Sequence, residues 1–279
     1  MRITTEFAVA DRVASVVASG VTDVGRVRGV NEDSFVIAPP LFLVADGMGG
    51  HTRGDVASRT AAQILRERLG DREPQSPDEV LAAIRAANDA VRALGRDEAD
   101  QLSGTTLVGV ALVGVGESRH WMVFNVGDSR LYSWDGRTLR QLSVDHSVVQ
   151  ELLDAGEIDV ELAAIHPERN VITRAIGAED EVDVDVWLLP LGGRQTFLIC
   201  SDGLTKELDD GAIAATLARL GPEDDAAEAL VAAALAVGGH DNVTVVRVDA
   251  VTGSGAWEDT TATRPGRLSD HLEDTRPRA

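Results

Sequence analysis

The sequence predicts an α+β protein in which antiparallel sheets are covered by helices. Two observations lead there. Short β-branched runs follow one another within a few residues, as in "TLVGVALVGV…RHWMVFNVG…RLYSW", a spacing that favours antiparallel meanders over βαβ units. Two longer Ala-rich stretches interrupt these runs and are long enough for full helices. A chain of 279 residues allows one large domain or two small ones, and no linker of Pro, Ser or Gly divides residues 12–249, so one domain is the economical reading.

In chain order the strand candidates are "RVASVVASG", "SFVIA", "LFLVA", "TLVGVALVGV", "RHWMVFNVG", "RLYSW", "TFLIC" and "NVTVVRVDA". Helices are expected over 55–69, 78–94, 146–153, 211–220 and 224–237, several opened by an Asp or a Ser-Pro start signal. After residue 251 the chain turns poor in apolar residues, mixed in charge and aperiodic. Residues 252–279 are therefore expected to form a disordered tail appended to a domain over 1–251. The tail repeats Thr-Arg-Pro at Thr263 and Thr275; a solvated tail is favoured over a phosphorylated docking segment.

Composition removes several function classes. No segment reaches the roughly 18 uninterrupted apolar residues of a membrane helix, and the opening "MRITTEFAVADRV" carries charges where a secretory apolar core belongs, so a cytoplasmic protein is expected. The single Cys200 excludes an internal disulfide and any multi-thiolate metal site, and its place in "TFLIC" suits inert packing. A net charge of −20 opposes nucleic-acid or anionic-membrane partners, because it repels phosphate backbones. Of 26 basic residues only Lys206 is lysine, a bias that hints at a GC-rich bacterial genome. No heptads or spare apolar face are evident, which makes a monomer the default.

Acids recur at the edges of the apolar runs. The apolar runs of "LFLVADG" and "TFLICSDG" are followed by Asp46 and Asp202, each with a glycine after it, while Asp241 precedes "NVTVVRV", Glu32 and Asp33 precede "SFVIA", and Asp128 is read as ending the strand in "VFNVGDSRLY". One Asp-Gly is an ordinary turn. Six acids at the edges of buried strands are different, because they repel one another and raise one another's pKa unless a cation lies among them. For Asp46 that cation could be an Arg, a helix N-terminus or a metal ion. Oxygen donors without a thiolate or histidine cluster suit Mg²⁺ or Mn²⁺ better than zinc. Gly47, lacking a Cβ, can turn its carbonyl toward an ion. Two ions about 4 Å apart could share Asp46 and a water aimed at phosphorus. Arg28 in "GRVRGVNED" has the guanidinium to grip two phosphate oxygens, although in isolation an exposed arginine paired with an acid is the plainer reading.

Eight segments in this order, "RGVNED", "LFLVADGMGGH", "SGTTLVGVAL", "NVGDSRLY", "DHSVVQELL", "ITRAIG", "LICSDGLT" and "HDNVTVVRV", resemble the metal-dependent protein phosphatases of type 2C, particularly their bacterial branch. The match spans roughly residues 16–248. The resemblance implies a four-layer α-β-β-α sandwich, two antiparallel sheets flanked by helices, with a dinuclear Mn²⁺/Mg²⁺ centre at one edge. It implies Asp46 as the bridging ligand, the Gly47 carbonyl as a ligand of one ion, and Asp202 and Asp241 as ligands of the other. Glu32 and Asp33 match the acids that hold metal-bound waters, Arg28 the phosphate-binding arginine, and Asp128 the acid that helps bind a third, weaker ion.

Where animal relatives have a histidine after Asp-Gly, this chain has Met48, which cannot donate a proton, so the general acid is unassigned. A water on a third metal is preferred to His51, and His120, His146, His166, His240 and His271 are read as structural. Residues 147–170 correspond to the variable flap beside the family's site, either a substrate selector or a plain lid. The resemblance implies hydrolysis of phosphoserine and phosphothreonine in proteins, as bacterial relatives that oppose Ser/Thr kinases do. The competing reading is a catalytically silent phosphatase-like scaffold that binds phosphoproteins.

Overall fold

The computed structural model describes residues 1–9, 12–49, 53–94, 103–220 and 224–252. One sheet runs, in spatial order, β1 (Arg2–Val9), β2 (Arg12–Asp23), β12 (Val243–Thr252), β11 (Gly193–Cys200), β8 (Arg130–Trp134) and β9 (Leu139–Gln141). The second runs β10 (Asp185–Pro190), β7 (Ser118–Val126), β6 (Leu107–Val115), β4 (Leu41–Met48) and β3 (Asp33–Ala38), with the two-residue β5 (Gly104–Thr105) on β4. Every pairing is antiparallel.

Helices α1 (Gly54–Leu69) and α2 (Pro77–Leu94) cover the second sheet. On the first lie α5 (Asp202–Thr205), α6 (Asp210–Arg219) and α7 (Ala226–Val237). An excursion between β9 and β10 carries α3 (Val148–Asp154) and α4 (Val160–Ile165). This is the expected four-layer α-β-β-α sandwich. The helix starts follow the sequence signals: Ser76 and Glu79 cap one another reciprocally ahead of α2, while Ser147, Asp159, Asp209 and Asp225 accept N–H bonds at α3, α4, α6 and α7.

The three interfaces between four layers are three apolar cores, and strand alternation sorts residues among them. Along β4, Leu41, Leu43 and Ala45 face α1 and α2, whereas Phe42 and Val44 face the other sheet. Along β12, Val243 and Val245 face the α5–α7 side, whereas Val246 and Val248 face inward. Burial on both faces is why these strands read as unbroken apolar runs. Trp121 clamps the central layer, its ring centroid 5.6 Å from Phe197 of the opposite sheet and 6.3 Å from Phe42 of its own.

Elements absent from the sequence reading are β1, β5, β9, β10, α4 and α5. The expected tail over 252–279 lies outside the described residues apart from Thr252, which ends β12, and so do His51 and His271.

Candidate metal centre

Carrying the alternation one step past the apolar residues builds the site. On β4 the inward series Phe42, Val44 continues to Asp46; on β3 the inward Ile37 and Phe35 lead back to Asp33. Val246 on β12 leads back to Thr244, and Ile199 on β11 leads on to Ser201. The space between the sheets is therefore apolar along its length and polar at one end.

Asp33 and Asp46 are direct cross-strand partners. Like charges so placed repel. Asp33 reaches the opposite sheet: its Oδ2 accepts from Thr244 Oγ1 at 2.6 Å and Ser201 Oγ at 2.8 Å, while its buried Oδ1 has no partner. Loss of water, then the Asp202 and Asp241 charges, outweigh those two bonds and push the Asp33 carboxyl up to about 6. Loss of water and the charges of Asp33, Asp202 and Asp128 hold Asp46 well above the carboxylate range.

Backbone contacts fix Asp46. Its N–H donates to Thr106 Oγ1 at 3.0 Å, and its carbonyl accepts from Thr105 Oγ1 and Thr106 N, both at 2.9 Å. The "SGTT" segment thus clamps the turn. Gly47 donates to the Glu32 carbonyl at 3.1 Å, and a Cβ there would strike the Gly54 and Glu32 carbonyl oxygens, so only glycine fits. The Glu32 carboxyl is raised, by loss of water first, with Arg28 and a bond from the Gly54 N–H opposing.

Asp202 opens α5 and Asp241 precedes β12, both beside the first sheet. Arg28 lies in the loop between β2 and β3 and meets Asp241 with two nitrogens, Nε to Oδ1 at 2.9 Å and Nη2 to Oδ2 at 3.0 Å. Asn242 ties that loop down, donating to the carbonyls of Val24 and Val30 and accepting from Glu32 N. Lys206 Nζ lies 2.5 Å from Asp202 Oδ2 and 3.0 Å from Asp241 Oδ2. Burial opposes a charge on either partner, but Lys206 and Arg28 hold Asp241 below the usual range, and the two acids raise Lys206.

Asp128 follows β7 rather than ending it. Burial, with Asp202 and Asp145, pushes it up to about 7. Two neighbours frame it: Arg130 is held by Asp145 through three contacts of 2.7–3.1 Å, and the Gly127 N–H donates to His146 Nδ1 at 3.1 Å. Buried His146 also approaches Arg174 and Asp185, while exposed His240 is held by Glu207 at 2.8 Å.

Arg28, Asp128, Asp202, Lys206 and Asp241 line one cleft of about 850 Å³. Its far wall is the 147–170 excursion, through Val149, Leu153, Val160 and Ala163. Among the described residues no three acid, imidazole or thiolate side chains converge closely enough to hold an ion unaided. The centre that fits these residues therefore completes its coordination with carbonyl and water oxygens, as hard divalent ions accept. The unpartnered Asp33 oxygen and the raised carboxyls of Asp33, Asp46 and Asp128 mark acids whose burial and mutual repulsion exceed what the Lys206 charge near Asp46 and Asp128 offsets.

Sequence reading missed Lys206, Ser201, Thr244 and Asn242. The inward alternation would have found Ser201 and Thr244, and the four-residue step from Asp202 would have found Lys206.

Acids crowded at a sheet edge, open to a cleft and backed by a guanidinium, define a metal-dependent hydrolase of phosphate esters. Residues 30–235 match the family model of protein phosphatase 2C. The serine/threonine phosphatase stp of Listeria welshimeri is 36% identical over 239 residues, 82% of this chain and 93% of the relative. The Ser-Thr phosphatase MsPP of Mycobacterium smegmatis, solved with cacodylate, is 38% identical with a TM-score of 0.73, covering 83% of this chain and 97% of that one. The PstP catalytic domain, solved with two manganese ions, is 35% identical with a TM-score of 0.74, covering 85% and 99%. The chain belongs to the protein phosphatase 2C family, the metal-dependent Ser/Thr protein phosphatases.

Proposed function

We propose that this chain removes phosphate from phosphoserine and phosphothreonine of proteins, using two divalent ions, Mn²⁺ or Mg²⁺, held at the polar end of the inter-sheet space. The observation that carries the reading is the Asp33–Asp46 pair, opposed across β3 and β4, with Asp33 Oδ1 unpartnered and Asp46 held well above the carboxylate range because burial and the neighbouring acids outweigh the Lys206 charge. Asp46 would bridge the ions, with the Gly47 carbonyl on one and Asp202 and Asp241 on the other. Glu32 and Asp33 would hold coordinated waters in place. Asp128 is assigned to a third, weaker site.

Bound there, the ions would act as Lewis acids that lower a water's pKa and aim it at phosphorus. The protein's share is orientation. Arg28, half-exposed at the cleft mouth, presents to two phosphate oxygens the same edge that meets Asp241. Thr105 and Thr106 keep Asp46 from turning away. No side-chain nucleophile is called for, and Cys200 is unsuited to that role: it is fully buried, with its thiol pushed up to about 12 chiefly by that burial.

The full reading is a domain over 1–251 acting in the cytoplasm as a monomer on the targets of bacterial Ser/Thr kinases, without nucleic-acid or membrane partners. Among the described residues no helix is long and apolar enough to cross a membrane, and the net charge of −20 opposes anionic surfaces. Hydrolysis of a phosphothreonine peptide with Mn²⁺, with EDTA, and by Asp46→Asn tests the activity. Turnover that needs Mn²⁺ and vanishes in the variant is expected; a folded wild type that stays silent with Mn²⁺ would favour the phosphoprotein-binding scaffold.

A further inference from the structure

We propose that Lys206 competes with divalent metal for Asp202 and Asp241 and thereby sets the metal concentration at which the second ion binds. The proposal rests on the metal centre proposed above. Lys206 Nζ lies between the Oδ2 atoms of both acids, at 2.5 and 3.0 Å, which are the oxygens that a cation shared by those two residues would use. An ammonium is a compact point charge with three donors. A divalent ion seated on the same oxygens meets it at close range, so the two exclude one another.

The placement is built into the fold. Lys206 caps α5, its backbone N–H bonded at 2.8 Å to the carbonyl of Asp202, so the ammonium arises one helical turn beyond the acid it grips. Its side chain keeps 36% of its surface exposed and lines the open cleft, which gives a four-carbon stem room to carry the charge aside when metal takes the carboxylates. Arg28 shares the Asp241 Oδ2 atom through Nη2 at 3.0 Å, but only Lys206 of the two also grips Asp202 and so bridges both acids. Lysine also occurs nowhere else among the 26 basic residues, so no other lysine substitutes for it.

Calorimetric titration with Mn²⁺ tests this without any turnover. Lys206→Met keeps the stem and deletes the charge, and Lys206→Gln keeps hydrogen bonding without charge. Either should bind the weaker of the two ions about tenfold more tightly than wild type, with the same number of ions at saturation. Arg169→Gln removes a charge from the same cleft wall without touching either acid, and should shift that affinity by less than about threefold. Unchanged or weaker binding in both Lys206 variants would overturn the proposal, as would an equal gain in Arg169→Gln, which would mark a general field effect. If neither wild type nor the Lys206 variants take up Mn²⁺, the metal centre itself falls.

Discussion

Two Asp-Gly corners, one per sheet, are built to the same plan and charged in opposite ways. Asp46-Gly47 leads from β4 toward α1, and Asp202-Gly203 leads from β11 into α5. At each, a Cβ on the glycine would strike a backbone carbonyl, that of Gly54 in one case and Asn242 in the other. The electrostatics diverge. Asp202 has the Lys206 ammonium at 2.5 Å, whereas Asp46 faces Asp33, with Asp202 and Asp128 nearby, and is bonded through its backbone to neutral hydroxyls. Similar steric solutions thus carry one acid in direct contact with the Lys206 ammonium and one that feels that charge only weakly, so burial and its acidic neighbours prevail. The second is the stronger pointer to metal.

The widest gap between the corners should appear in Asp46→Asn, which removes the acid that has no cation of its own. Turnover with saturating Mn²⁺ should fall by at least about a hundredfold in single-turnover assays, since each factor of ten is about 1.4 kcal/mol and a metal contributes several. The glycines should behave alike: Gly47→Ala and Gly203→Ala are each expected to cost about 3 kcal/mol in urea unfolding, and a markedly cheaper member would break the symmetry.

The third prediction uses pH. Asp33 has a folded pKa raised from 3.8 to about 6, so its contribution to stability is fully present below about pH 4 and lost as pH rises through about 6. Asp33→Asn lacks that loss. In EDTA the variant should gain on wild type by on the order of 2 kcal/mol between pH 4 and about 7, by thermal melting, and Mn²⁺ should shrink the gain. The smallest effect is expected from Arg28→Lys, which replaces the two-nitrogen edge now on Asp241 by a single ammonium for gripping two phosphate oxygens: KM should rise roughly tenfold with kcat nearly kept. A fall confined to kcat would move Arg28 from phosphate binding to holding Asp241.

The sheets were legible in sequence because burial on both faces makes central strands continuous apolar runs, as "LFLVA" and "TLVGVALVGV" do. Of the edge strands, β3 was legible as "SFVIA", whereas β1, β9 and β10 were not. β1, reading "RITTEFAV", and β10, reading "DVWLLP", each pair on one side only; polar residues break the apolar run of the first, and the second offers only four apolar residues between an Asp and a Pro. α5 is four residues long, too short for any period to mark it, and with it went the link between Asp202 and Lys206. Acids at strand ends were legible singly. That Asp33 and Asp46 face each other depends on the register of β3 against β4, which no single strand specifies.

The phase of the strands has a further consequence for how this protein tolerates insertions and deletions. Asp46 reaches the inter-sheet space because it stands an even number of residues beyond Phe42. One residue inserted between them would send the carboxylate to the α1 face and bring an apolar neighbour to the cleft, while two would restore its direction and displace it by about 7 Å. The chemistry is therefore indexed to the core by counting. Length changes are expected to be confined to loops such as the 147–170 excursion, whose residues contribute wall but no acid to the cluster.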